Sequence, residues 1–221
     1  LSDKDECFTT FYIVRHGETQ WNQNGLLQGH LDSPLSDLGI RQAEALSGFF
    51  KTCFWDMIVC SDLHRALRTA EIIRGDSLKP FTTDKRLRER NLGIAQGLTL
   101  DEFAKKYPLE FKKFNDDGAD YRIPDGESIR DRLNRSIACL NDIEMQYRGK
   151  SIIVVTHGGI LDGIFRYAAG ISLEKKRTFS LFNASINTLQ ISNNEWSIVT
   201  WGYIEHLRTL GSLDDWYRGT I

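Results

Sequence analysis

Three short apolar runs constrain the fold of this chain more than any other feature. They are "FYIV" at 11–14, "MIVC" at 57–60 and "IIVV" at 152–155. Each is partly β-branched, and none alternates with polar residues. A strand with one wet face alternates, whereas a strand covered on both faces does not. The runs therefore predict a mostly parallel sheet with helices on both sides.

Helical spacing fills the gaps. Leu38, Ala43, Leu46 and Phe50 mark one helix behind a Ser36 cap. Leu63, Ala66, Leu67, Ala70 and Ile73 mark a second, with Ser61 or Asp62 as its cap. Ile129, Leu133, Ile137, Leu140 and Tyr147 mark a longer one capped by Ser128, and a fourth is expected from about Gly159 to Ala169. "ASINTLQI" and "EWSIVTW" flank "SNN", which reads as an antiparallel hairpin at a sheet edge. The expected fold class is α/β, a three-layer α/β/α sandwich with a mostly parallel central sheet, an antiparallel edge hairpin and a small helical cap insertion. The insertion is placed at about 98–126. There Phe103, Tyr107, Phe111 and Phe114 form an aromatic stripe broken near Pro108, and Lys105, Lys106, Lys112 and Lys113 lie on the other faces. The stripe reads as packing onto the body, the lysines as a solvated face. The tail from about Leu210 is weakly patterned and expected to be loose.

Composition narrows the partners. A chain of 221 residues with net charge −2 suits one domain and argues against nucleic acid or a membrane as the main partner. The four cysteines, Cys7, Cys53, Cys60 and Cys139, show no metal-ligand spacing and read as free thiols of a cytoplasmic protein. No run reaches membrane-spanning length, and "LSDKDECFTT" carries no signal-peptide core. The chain does not begin with Met, so a truncated or processed start is expected.

Chemistry collects where the apolar runs end. Ligands of open α/β sheets bind beyond the carboxyl ends of the strands. After the first run come Arg15 and His16; after the second, "SDLHR" brings Arg65; after the third come His157, Gly158 and Gly159. A rim with two guanidiniums suits a phosphoryl group, whose oxygens they grip in pairs. A helix start at Gly158 and Gly159 would add N–H donors. One histidine could act as a neutral nucleophile and the other as a cation, its pKa raised by a phosphate dianion. An alkoxide leaving group needs an acid. Glu89 in "RLRERNLG" could supply it, although an Arg-Glu-Arg run is more often a surface ion-pair patch and nothing in its periodicity separates the two readings. His64 and His206 read as structural, and His30 is undecided.

Taken together, these segments resemble the histidine phosphatase superfamily, the phosphoglycerate-mutase-like family. "RHGET", "SDLHRALRTA", "LRERNLG" and "VVTHGG" are similar to its motifs and stand in its order from about Phe11 to Ile204. The resemblance implies a single phosphoglycerate-mutase-like domain over 1–221. It implies that His16 attacks phosphorus to form a phosphohistidine, that Arg15, Arg65 and His157 hold the phosphoryl oxygens, and that Glu89 serves as acid and then base. Asn22, Gln28, Gly29 and Gly158 fall at phosphate- or substrate-contacting positions. Glu18, Thr19, Asn183 and Asn187 are given supporting roles. No metal or other cofactor is expected. Typical phosphoglycerate mutases follow the acid with an "ERHYG"-like segment and carry paired arginines in a longer insertion; here Leu92 replaces the aromatic residue and no such pair occurs. That favours a metal-independent phosphatase acting on a small phosphorylated metabolite. The alternatives are a cofactor-dependent mutase, a mixed activity, or a non-catalytic phospho-ligand binder. A homodimer through an edge strand or the cap is also within expectation.

Overall fold

A computed structural model describes residues 8–210. The expectations for the polar start, for Cys7 and for the tail beyond Leu210 lie outside the described residues. The strands are β1 (Thr9–Arg15), β2 (Met57–Cys60), β3 (Phe81–Thr83), β4 (Ser151–Thr156), β5 (Ile186–Ser192) and β6 (Glu195–Tyr203), in sheet order β3-β2-β4-β1-β5-β6. β3, β2, β4 and β1 run parallel, β5 adds antiparallel to β1, and β6 adds antiparallel to β5. The α-helices are α1 (Gln20–Gln23), α2 (Asp37–Phe50), α3 (His64–Arg74), α4 (Leu100–Lys106), α5 (Pro108–Asp116), α6 (Ile129–Gln146) and α7 (Gly158–Ala168).

The three apolar runs are the central strands, and their side chains divide between two faces with period two. Phe11, Ile13, Met57, Val59, Ile152 and Val154 pack with Ile137, Leu140 and Ile143 of α6 and with Ile160, Leu161 and Ile164 of α7. Val14, Ile58, Cys60, Ile153 and Val155 pack with Leu46 and Phe50 of α2 and with Ala66, Ala70 and Ile73 of α3. Both faces are dry, which is why the runs do not alternate. Each buried aliphatic side chain contributes roughly 1.5–3 kcal/mol.

Ser36 and Ser128 cap α2 and α6 as the sequence predicts, Ser128 in a reciprocal box with Asp131. The cap expected for α3 differs. Leu63 holds the N-cap position and makes no side-chain cap bond. Asp32, from a distant loop, accepts instead: one carboxylate oxygen from His64 N–H and the other from Arg65 N–H at 3.3 Å. The hairpin turns through Asn193 and Asn194, both at positive φ, as a two-residue hairpin requires.

The aromatic stripe packs in a cluster of its own, with Phe103 buried and Tyr107, Phe111 and Phe114 half-buried around it. Phe103 is fully enclosed and meets Phe111 and Phe114 edge-on at 5.6 and 5.7 Å. Ala95 and Ile123 complete that core, and Leu27 packs on it. The four lysines of α4 and α5 are exposed.

Candidate active site

β2, β4 and β1 are neighbours, and their carboxyl ends stop level. Arg15 stands opposite Thr156, and Cys60 opposite Val155. The residues that follow, His16, Ser61 and His157, therefore emerge side by side. The His16 and His157 rings lie 5.1 Å apart, at 61°. Both are buried, at 3% and 0% exposure.

His16 is fixed in one tautomer. Its Nδ1 lies 2.7 Å from the Gly17 carbonyl oxygen. A carbonyl only accepts, so Nδ1 carries the proton and Nε2 keeps its lone pair. Burial, then the charges of Arg65 and Arg15, hold the imidazole well below the usual histidine range, so it is neutral at pH 7. Gly17 N–H donates to Thr69 Oγ1 at 3.1 Å. A Cβ on Gly17 would stand 2.4 Å from the Gly39 carbonyl oxygen, so only glycine lets this loop lie on α2. On the other side, Asn183 Nδ2 donates to the His16 carbonyl and Ala184 N–H to that of Arg15, both at 3.0 Å.

His157 Nε2 shares a hydrogen bond with Ser61 Oγ at 2.8 Å, and its buried Nδ1 has no partner among the described residues. Burial, then Arg65 and His16, push its pKa well down. Both rings are thus neutral in the free site, and a cationic His157 requires an incoming anion. Arg65 is 1% exposed. Its Nη1 donates to the Leu31 carbonyl and to Asp32 Oδ1, both at 3.0 Å, and its Nη2 to the Gly29 carbonyl at 2.8 Å. Arg15 Nη1 donates to the Leu181 carbonyl. The Nε atoms of both arginines are buried and unpaired among the described residues. Burial lowers Arg15 to about 10, Glu89 opposing and Arg177 and Arg65 adding to the fall.

Glu89 does not pair with the arginines beside it in sequence. Arg88 binds Asp62 through two bonds of 2.6 Å, and Arg90 turns inward to the Glu127 and Tyr121 carbonyls. Glu89 Oε1 accepts from Arg90 N–H at 2.7 Å and Oε2 from Gly159 N–H at 2.8 Å. Burial raises its pKa, but Arg132, these two N–H groups and Arg65 outweigh that, and the net direction is down. The surface-patch reading of this run does not describe the fold.

Sequence reading missed the roles of Asp32, Ser61, Arg135 and Arg132 around this site and left His30 undecided. Asp32 pairs with Arg65, and Ser61 bonds His157 instead of capping α3. Arg135 donates to the carbonyls of Arg86, Arg88 and Glu89, so α6 clamps the segment that carries Glu89. His30 Nε2 donates to that same Glu89 carbonyl at 2.9 Å, which settles its place as a brace. Arg132 lies beside Glu89, 6% exposed. An arginine on a helix reads as solvated, and no period in 129–147 marks these two.

Other expected residues fall nearby with different tasks. Asn22 Oδ1 accepts from Thr19 N–H and Oγ1–H in a reciprocal cap of α1. Gln28 Nε2 donates to Thr19 Oγ1 at 2.8 Å, leaving its buried Oε1 unpaired. Gly29 reaches the site through its carbonyl, and Gly158 opens α7 with Arg15 Nε 3.3 Å from where its Cβ would be. Glu18 accepts from Ser36 and Gln23, and Asn187 bridges Ile13 and Gly202. His64 is exposed, whereas His206 bonds the Ala184 carbonyl. Cys53, Cys60 and Cys139 are free, and burial pushes the Cys60 and Cys139 thiols up to about 12. No helix among the described residues is long and apolar enough to cross a membrane.

The chain is similar along its length to known proteins. It is 34% identical to phosphoglycerate mutase-like protein 4 of Arabidopsis thaliana over 99% of this chain and 96% of that one. It is 35% identical to the metal-independent phosphoserine phosphatase of the same plant, over 96% and 88%. The structure of Bacillus stearothermophilus YhfR superposes with a TM-score of 0.84 at 31% identity, over 90% of this chain and 99% of that one. The sequence pattern of the histidine phosphatase superfamily (branch 1) matches residues 11–204, and the chain belongs to that superfamily of enzymes.

Proposed function

We propose that the protein is a metal-independent phosphomonoesterase that works through a phosphohistidine on His16. The observation that carries this is the His16 tautomer: a neutral imidazole with a free Nε2 lone pair, set among Arg15, Arg65 and His157. Arg15 Nε, Arg65 Nε and His157 Nδ1 offer unpaired polar atoms to phosphoryl oxygens. The start of α7 at Gly158 adds backbone donors.

In the first step Nε2 attacks phosphorus and the ester P–O bond breaks. The leaving alkoxide takes a proton from Glu89. In the second, Glu89 removes a proton from water, whose oxygen attacks the phosphohistidine, and phosphate leaves as Nε2 regains its lone pair. Glu89 is ionised in the free site, so it must gain its proton on binding. A phosphate dianion cancels the cationic field that holds the carboxyl down, which raises its pKa at the right moment.

The relative named as a phosphoserine phosphatase supports hydrolysis; the mutase-like relative keeps transfer to a second hydroxyl as the alternative. Purified protein with a chelator would be offered phosphorylated metabolites, including 3-phosphoglycerate with and without 2,3-bisphosphoglycerate. We expect phosphate release without isomerisation. Isomerisation that needs the bisphosphate would establish the mutase instead. We read residues 98–126, which carry α4 and α5, as an insertion within a single domain. We read the setting as cytoplasmic, a reading supported by the free thiols of Cys53, Cys60 and Cys139 among the described residues.

A further inference from the structure

Arg132 carries hydrogen-bonding capacity that the protein does not use. It is 6% exposed, yet its guanidinium makes no hydrogen bond to the described residues, and Nε and Nη2 are fully enclosed without partners. Asp162 Oδ2 lies 3.8 Å from Nη2, too far for a hydrogen bond. Asp162 already accepts from Arg166 Nε at 3.0 Å. Nη1 faces the site. A Cβ built on Gly159 would stand 2.5 Å from it and 2.2 Å from Glu89 Oε1. The guanidinium and the carboxylate thus flank one point on the first turn of α7. Burying a guanidinium without acceptors is costly, and a ligand that brings them recovers the loss.

On the phosphatase reading above, Glu89 stands beside the ester oxygen, so Arg132 stands beside the alcohol that departs. We propose that Arg132 is a specificity-determining residue, binding a second anionic group, a carboxylate or a phosphate, carried by the leaving alcohol. The planar fork matches either anion. The groups that face it are Glu89, Asp162, Arg135 and Glu127. Glu89 is neutral when it acts as the acid, which leaves Arg132 under-compensated and receptive at that stage.

Matched pairs test this. One arm compares 3-phosphoglycerate with glycerol 3-phosphate, which lacks the carboxylate. The other compares 1,3-propanediol bisphosphate with its monophosphate. The wild type should favour the doubly charged member of at least one pair by about tenfold or more in kcat/KM, mainly through KM. The arm that responds identifies the anion. Arg132→Met should erase that ratio and Arg132→Lys should keep part of it; a ratio, unlike a rate, is insensitive to a common loss of folded enzyme. Equal values within both pairs for the wild type, or a ratio unchanged in Arg132→Met, would overturn the proposal. Calorimetric binding of the same pairs to His16→Ala, with and without Arg132→Met, asks the same question without turnover. Failure of the wild type to hydrolyse any ester, p-nitrophenyl phosphate included, would count against the phosphatase reading and leave the binding ratio to judge Arg132.

Discussion

His16 Nδ1 donates to the carbonyl oxygen of Gly17 at 2.7 Å, and that bond leaves Nε2 as the nitrogen with the free lone pair, the nucleophile of the proposed mechanism. Replacing His16 by Ala should lower phosphatase activity by about four orders of magnitude or more. Wild type quenched during turnover of a 32P-labelled ester should carry acid-labile, alkali-stable label, and His16→Ala should carry none. Full activity in that variant would refute the phosphohistidine route.

In the proposed mechanism Glu89 serves both half-reactions, but substrates differ in how much they need it. Glu89→Gln should slow alkyl phosphates by about 10²–10⁴-fold. A nitrophenolate departs without a proton, so phosphorylation by p-nitrophenyl phosphate should be nearly spared while the water step slows. Stopped-flow absorbance should then show a burst of one nitrophenolate per active site before a slow steady state. A linear trace at the wild-type rate would remove Glu89 from the mechanism.

Gly159 is the position where side-chain substitution should harm chemistry more than folding. Its Cβ would fall 2.2 Å from Glu89 Oε1, the end of a movable side chain. Gly159→Ala should keep the wild-type circular dichroism and lose kcat for alkyl phosphates by about tenfold or more, since a displaced acid no longer reaches the leaving oxygen.

Asp32 joins two tasks, holding Arg65 through a 3.0 Å ion pair and closing the start of α3. Asp32→Ala should cost about 0.5–2 kcal/mol through the cap alone. The freed Arg65 should also bind phosphate less well. Urea titration would read the first effect, and competition by inorganic phosphate the second.

His206 gives a pH dependence with a defined sign. Burial pushes its pKa from 6.5 down to about 4 in the folded chain. The unfolded chain therefore binds the extra proton first as pH falls. Its contribution is complete above about 6.5 and is lost progressively between there and about 4. His16 and His157 are also held down and add with the same sign. His206→Gln should flatten, without abolishing, the fall in urea midpoint between pH 7.5 and 5. An unchanged slope would mean that His206 is equally protonated in both states.

Local chemistry in the sequence determined a large part of this protein. Non-alternating runs at 11–14, 57–60 and 152–155 mean strands covered on both faces, and those strands are the centre of the sheet. Ser36, Ser128 and the Asn193-Asn194 turn act on backbone a few residues away, so their effects are written beside them. Arg15 ends β1, His16 and His157 follow strand ends directly, and level parallel strands must bring them together. Tertiary structure decided the rest. Asp32 caps a helix that begins 32 residues later, and Arg135 clamps a segment more than 40 residues before it. Glu89 makes no ion pair with the arginines on either side and takes one of its two N–H partners from distant Gly159, while Arg132 is hidden among residues that spacing reads as a solvated helix face. Hydrogen bonds between distant segments leave no period in a sequence. They exist only once the sheet has set the register, and they hold Glu89 in place, whereas the tautomer of His16 is set by the carbonyl of its own neighbour, Gly17.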